Sequence, residues 1–507
     1  MAHIDVPPEG AGGTDLSGAG TVFRNRNFVF LWSAQALSQL ASNMVLAALM
    51  ATVYDSTRSN TAVAFLILTF LIPAVLFSTL GGVLVERSNA RTILLATNIL
   101  RAAGTLGFIF VAPETASANV PLLFLINFGI ATATAFFAPA ELTSIPRIVE
   151  RRHLMAANSI FILTVNATFA IGFGVLGPLV LNVLGPVAVY MIVAVMFGAA
   201  ALAIIPLPAV RPDHPAAAMG AAGRALKELG AQLTEGIGFI RKHRIIAWSL
   251  TYLAIASSLI GVLGAIGPGY AEEILRLTPQ DFFFIMGPAG LGAVVGILFL
   301  NSYGKGIPKR LIIDIGLIGM GVTLVALALV RPITVAFGPA VQPIEDVIPS
   351  LAPLTSLIAM VVVIAVFAGL EYAFVAIPSQ TALQEELPAG VRGRIFGILN
   401  TLLSVASFLP VIAAPAAADV INIFFPGSGI PVVMAILGLG TLWAGIASWR
   451  RNARAGLHEH DQAAAPPADT IDERPAPGTP DLPDRPRGEG GAEPPHRRRR
   501  RRRADGE

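Results

Sequence analysis

The sequence predicts an all-α polytopic membrane protein with twelve transmembrane helices in two six-helix halves. Three observations predict it. First, hydrophobic residues make up 54% of the 507 and charged ones only 13%, about half the charged share of an ordinary soluble domain. Mean hydropathy is +0.69, and so much apolar surface exceeds what soluble cores hide. Second, the apolar residues gather in twelve runs, each near or above the ~20 residues a helix needs to cross a ~30 Å hydrocarbon core. The runs are continuous rather than alternating, which implies helices and not barrel strands. Third, a long polar segment divides the runs six from six.

The runs are 28–54, 61–85, 92–112, 120–140, 158–181, 186–205, 245–270, 282–303, 311–330, 351–380, 395–418 and 428–449. Nine contain no Asp, Glu, Lys or Arg; the exceptions carry Arg101, Asp314 and Glu371. Tilt absorbs the excess length of the longest runs. The first is not a secretory signal. It has 27 residues with Arg24 and Arg26 before it, against an apolar region of about 7–15 in such signals. The implied organisation is a disordered N-terminus (1–23), a first half (24–205), a cytoplasmic linker (206–244), a second half (245–450) and a disordered tail (451–507).

Lys and Arg set the orientation. With the N-terminus inside, the inner segments near the membrane hold twenty-one of them, and the outer loops hold only Arg58, Arg276 and Arg331. Both termini are therefore expected on the cytoplasmic side of the cytoplasmic membrane. In the linker, Gly223–Arg244 is either an amphipathic helix on the inner leaflet or a solvated linker helix. The tail is rich in Pro, Ala and acids and ends in seven arginines, Arg497–Arg503. It cannot bury enough surface to fold. The arginines either meet anionic groups or are neutralised by the nine acids between His458 and His496.

The halves carry a faint repeat. Trp32-Ser33 opens the first run and Trp248-Ser249 the seventh; Pro139-Ala140-Glu141 corresponds to Pro378-Ser379-Gln380. Duplicated halves related by an axis along the membrane normal fit this pattern.

Between the second and third runs stands Gly82-Val83-Leu84-Val85-Glu86-Arg87-Ser88-Asn89-Ala90-Arg91. It resembles the signature loop of the major facilitator superfamily, Gly-x-Leu-x-Asp-Arg-x-Gly-Arg-Arg. Gly82, Leu84, Arg87 and Arg91 match; Glu86 replaces Asp, Asn89 replaces Gly and Ala90 replaces Arg. The resemblance implies a cytoplasmic gate. In it Glu86 and Arg87 latch the halves against the start of the eleventh run at Gly393–Arg394, where a helix N-terminus favours an acid. Pro139–Val149 with Leu154, Ala157 and Asn158, and Leu383–Pro388 with Arg392-Gly393-Arg394, are similar to the twelve-span branch of macrolide-efflux and enterobactin-export proteins. Gly172-Phe173-Gly174-Val175-Leu176-Gly177-Pro178 also matches a dinucleotide fingerprint as a string, but it lies mid-membrane with no strand before it. Gly177-Pro178 instead resembles the antiporter motif of exporters, although Leu181 and Asn182 stand where that motif has glycines. Close helix packing is the alternative reading of these glycines.

Those resemblances imply a secondary exporter of amphiphilic drug-like or siderophore-like molecules, working by proton antiport and alternating access. The alternatives are a lysophospholipid or other lipid carrier of the same superfamily, or a transport-inactive sensor. Glu371 is the candidate proton-coupling residue, being the one acid the span map puts deep in the membrane. Helix-bundle hydrogen bonding or pairing with Arg101 are its structural alternatives. Gln35, Asn43, Asn127, Asn166, Tyr252 and Asn400 are candidate cavity residues, each equally able to bond helix to helix. The runs hold no His and too few acids for a membrane enzyme. No Walker A string occurs, and no Cys is present for thiolate chemistry. The expected partners are a small-molecule substrate, protons and the bilayer. Nucleic acid, a cofactor and a metal are not expected, and the protein should be a monomer.

Overall fold

The computed structural model describes residues 19–111, 113–150, 153–209, 234, 237–238, 240–241, 243–304, 307–336, 356–385 and 392–454. Most of the linker, the whole poly-arginine tail and most of the loop before the tenth run lie outside these. Every described element is helical. After a short turn at Ala19–Val22 come α1 (Arg26–Thr57), α2 (Asn60–Arg87), α3 (Ala90–Gly107), α4 (Pro113–Ile148), α5 (Leu154–Thr168) and α6 (Gly177–Ile204). The second half holds α7 (Arg244–Glu273), α8 (Phe283–Tyr303), α9 (Lys309–Ala328), α10 (Leu357–Glu385), α11 (Arg392–Phe424) and α12 (Gly429–Arg454).

Short polar side chains start the helices. The Asn25 carboxamide oxygen accepts from Asn27 N and Phe28 N at 3.0 and 3.3 Å, opening α1. Asn89, which stands where the superfamily loop has Gly, caps α3 by accepting from Arg91 N at 3.1 Å. Such caps supply partners for N–H groups that have none within the helix.

Among the described residues, eleven helical stretches are long and apolar enough to cross a membrane. The sequence predicts twelve runs. The difference arises because Ala156–Ile204 is continuous over 49 residues. At ~1.5 Å per residue such a helix would reach ~74 Å, more than twice the bilayer core. Gly185 interrupts it with φ 78° and ψ 173°, a conformation that side chains with a Cβ avoid, and offers the chain a place to turn.

Leu125, Val195, Leu298 and Trp443 are exposed, the apolar exterior a bilayer requires. The interior holds separate cores. One joins α7, α9, α10, α11 and α12 around Leu317, Val375 and Val411. Another joins α1, α2, α4 and α6 around Ala48, Leu66, Leu123 and Phe197, and reaches across to Ala271 and Phe282. The repeat pairs fall on corresponding helices: Trp32 and Trp248 on α1 and α7, Pro139 and Pro378 on α4 and α10.

Candidate functional site

At one end a carboxylate of the second half is set on the start of a helix of the first. Asp419, on α11, accepts from Asn60 N at 3.1 Å and Thr61 N at 2.8 Å, the first two amides of α2. It also accepts from Ser59 Oγ, Asn60 Nδ2 and Thr61 Oγ1 at 2.7, 2.9 and 2.7 Å. The next amide, Ala62 N, donates to Ser59 Oγ at 3.2 Å, and Val63 N to the Ser59 carbonyl at 3.4 Å. All four amides of the first turn are thereby satisfied, two of them by a residue of the opposite half. The acid also sits at the positive end of the α2 dipole.

A second tier surrounds this contact. Glu273, at the end of α7, accepts from Tyr54 Oη of α1 and Asn422 Nδ2 of α11, both at 3.0 Å. Arg58 bridges Asp55 and Glu272. Asn182 Nδ2 donates to Asp281 at 2.8 Å. Phe173 meets Phe282 edge-on at 5.8 Å between ring centroids, again half to half. Gly269 of α7 makes room: a Cβ there would run into Asn60 Oδ1 and come within 2.9 Å of Tyr54.

Deeper in the bundle, the predicted antiporter segment is wound as a π-helix over Phe169–Leu176, between α5 and α6. Such segments often mark functional sites. It carries the crossing between halves. A Cβ on Gly174 would lie 3.3 Å from Gly287 Cα of α8, and one on Gly287 would lie 3.1 Å from the Gly174 carbonyl. Gly177 packs against the Met44 carbonyl and Ala47 of α1, and Pro178 is buried beside it. The close-packing reading fits these contacts: Gly172 and Gly177 pack on α1, and Gly174 meets the other half.

Glu371 lies between α9 and α10. Thr323 Oγ1 donates to its two oxygens at 3.0 and 2.8 Å. Gly319 leaves it space, since a Cβ there would sit 2.6 Å from Oε1. Arg101 is in the other half, 1% exposed, with its guanidinium 4.4 Å from the Phe137 ring centroid and 5.0 Å from that of Phe197. The pairing of Glu371 with Arg101 is therefore not formed. The acid that acts electrostatically on Arg101 is Glu141 of α4, also buried. Arg101 Nη2 and Glu141 Oε1 both lack a hydrogen-bond partner among the described residues.

The predicted cavity residues scatter. Gln35 is buried on α1 with Oε1 unpartnered; one turn on, Ser38 donates to Asn98 of α3 at 2.7 Å. Asn43 is half-buried against Gly172. Asn127 Nδ2 donates to Thr69 Oγ1 at 2.8 Å, joining α4 to α2. Asn166 is exposed on α5. Tyr252 points into the second half, where its hydroxyl pairs with Ser448 at 2.6 Å and accepts from Arg451 at 2.9 Å. Ser448 and Asn452 of α12 in turn donate to Asp314 at 2.6 and 2.9 Å. The sequence suggests a local ion pair of Asp314 with Lys309 or Arg310. Instead Asp314 is fully buried in this network, Lys309 pairs with Glu385, and Arg310 lies over the Trp248 ring at 5.0 Å. Gly82, Glu86 and Arg87 end α2, Arg91 opens α3, and Arg394 lies in the first turn of α11. The side chains of Glu86, Arg87, Arg394 and Asn400 lie outside the described set.

An apolar groove of about 520 Å³ lies on a different face, between α3 and α4. Leu100, Gly104, Ile126 and Phe136 line it.

Comparison with known proteins agrees with this architecture. The family model of the Major Facilitator Superfamily matches residues 31–411. An uncharacterized MFS-type transporter of Bacillus subtilis (strain 168), YkuC, is 27% identical over 233 residues, 45% of this chain and 52% of YkuC. The chain thus spans about half the length of that curated relative. The nucleoside transporter NupG superposes with a TM-score of 0.60 at 13% identity, covering 84% of this chain and 99% of NupG. The POT family transporter PepTSo gives 0.59 at 13%, covering 85% and 98%. A bacterial homolog of the human lysosomal transporter Spinster, inward-facing and occupied, gives 0.56 at 14%, covering 85% and 97%. At such identities these structures share the fold.

Proposed function

The chain belongs to the major facilitator superfamily, and from that premise we propose that it is a proton-coupled exporter of amphiphilic small molecules. As a transporter of this family it is a multi-pass membrane protein and not an enzyme. The observation that carries the alternating-access reading is the Asp419 contact: two halves, each with its own core, fastened to each other at one end. In this reading that end faces outward, which the Lys and Arg asymmetry of the sequence supports. The state described is then closed outward, with substrate entering from the cytoplasm. Export is supported by the Gly177-Pro178 segment at the crossing between halves. Glu371, the one charged residue in the 351–380 run, is the proton-exchange residue of this reading. Glu86 and Arg87 form the corresponding inner latch with the start of α11. The protein works as a monomer in the cytoplasmic membrane.

The test is efflux from liposomes under an imposed proton gradient, across dyes, macrolides, siderophores and lysolipids chosen by a thermal-shift screen. Gradient-dependent movement of a drug-like or siderophore-like compound supports the reading. Movement of lysolipid alone would replace it with the lipid-carrier reading, which the apolar groove between α3 and α4 favours.

A further inference from the structure

We infer that Asp419 is a proton-responsive latch. As a carboxylate it fastens α11 to the N-terminus of α2, and on taking up a proton it gives up that contact and weakens this end of the seam. This rests on the transport reading above, and adds to it a second acid, at the gate and apart from Glu371.

The contact is built for a charged acceptor. Two amides and one carboxamide nitrogen face Asp419, and none of these can accept a hydrogen bond. The Ser59 hydroxyl is already accepting from Ala62 N, and the Thr61 hydroxyl would have to turn from donor to acceptor to meet a protonated Asp419. A carboxylic acid would bring its own O–H into this ring of donors, keep one good acceptor oxygen, and lose its attraction for the helix dipole.

The other titratable groups at this end have partners of their own. From α1 the facing group is Tyr54, whose hydroxyl is held by Glu273. From α7 they are Glu273, bonded by Tyr54 and Asn422, and Glu272, bridged by Arg58. On α2 and α12 the charged residues, Glu86 and Arg87, and Arg450, Arg451 and Arg454, stand at the far ends of those helices. No basic side chain bonds Asp419 among the described residues. Its five hydrogen bonds cross between halves, so separating the halves at this end removes them together. Water can satisfy the freed amides of α2 once the end opens. The closed state is the one that needs the charge, so acidification on this side favours opening.

The experiment measures opening directly, without substrate or gradient. The Cys-free sequence accepts spin labels at Phe110→Cys and Phe425→Cys, both exposed positions at this end of the bundle. Distances between labels are compared at about pH 7 and about pH 3, on either side of the ordinary carboxyl titration at about 3.9, in the wild type, Asp419→Asn, Thr61→Ala and Glu371→Gln. The wild type should shift toward the longer distance in acid. Asp419→Asn should occupy it at both values, raising the open-to-closed ratio at the higher pH by about tenfold or more, as loss of a charge-assisted contact implies. Thr61→Ala, which removes one bond of five, should fold normally and open at a higher pH than wild type. Glu371→Gln should keep the wild-type response, even if gradient-driven efflux fails. Equal distances for Asp419→Asn and wild type at both values, or a pH response abolished by Glu371→Gln and untouched by Asp419→Asn, would overturn the latch.

Discussion

Thr323 donates its hydroxyl to both oxygens of Glu371, at 3.0 and 2.8 Å, from the neighbouring helix α9. The carboxyl is thus held inside the second half, beside Gly319, with no basic partner among the described residues. Proton exchange at this position needs the acid itself and not its shape. Glu371→Gln should lose gradient-driven efflux in liposomes while substrate binding, followed by thermal shift, persists. Full gradient-driven efflux in the Gln variant would remove Glu371 from the coupling mechanism.

Gly319 defines how closely α9 and α10 approach around that acid. A methyl group there would sit 2.6 Å from Glu371 Oε1. Gly319→Ala should push Glu371 off Thr323 and cost roughly 1–3 kcal/mol, the range for overpacking a filled interior. Thermal unfolding in detergent reads this loss. Gly440, whose added Cβ would meet nothing within 4 Å, is the control, and Gly440→Ala should leave the melting temperature nearly unchanged.

Arg101 and Glu141 are buried ionisable neighbours in the first half, without a direct ion pair among the described contacts. Removing one member strands the other charge, at a cost of about 3–5 kcal/mol. Arg101→Met alone should therefore destabilise strongly. The double variant Arg101→Met with Glu141→Gln should recover part of the loss, since no lone charge remains. Additive losses in the cycle would show that the two are energetically independent.

At the other end of the bundle, Glu86→Ala should loosen the proposed inner latch. Single cysteines placed along the cytoplasmic ends of α2 and α11 should then label faster in membranes. An unchanged labelling series would leave the inner end without a role for Glu86.

The apolar helices were legible because a span announces itself by composition, and the helix starts because Asn25, Ser59 and Asn89 are residues that cap. The gate carboxylate was not. A sequence reading ends a span at the first charge, so the fourth and eleventh runs stop at 140 and 418, one residue short of Glu141 and Asp419. Both acids then read as boundary residues, although Glu141 is buried within α4. Nor does local spacing reveal their partners, for Asp419 meets residues some 358 to 360 positions away. The same reasoning that pairs an acid with a helix N-terminus at Glu86 and α11 finds its described instance with the halves exchanged, at Asp419 and α2. Tyr252 shows the converse: a polar residue on an apolar helix reads as a pore lining, and the structure spends it on Ser448 and Arg451.

The π-wound stretch from Phe169 to Leu176 stores one surplus residue per turn relative to an ordinary helix. Rewinding a single turn to the ordinary pattern would advance everything beyond it by one step of register, about 100° around the axis and ~1.5 Å along it. Gly174 would then swing away from Gly287, and a branched neighbour would arrive where two backbones now touch. A one-residue change of winding there would exchange the surface this helix shows the other half.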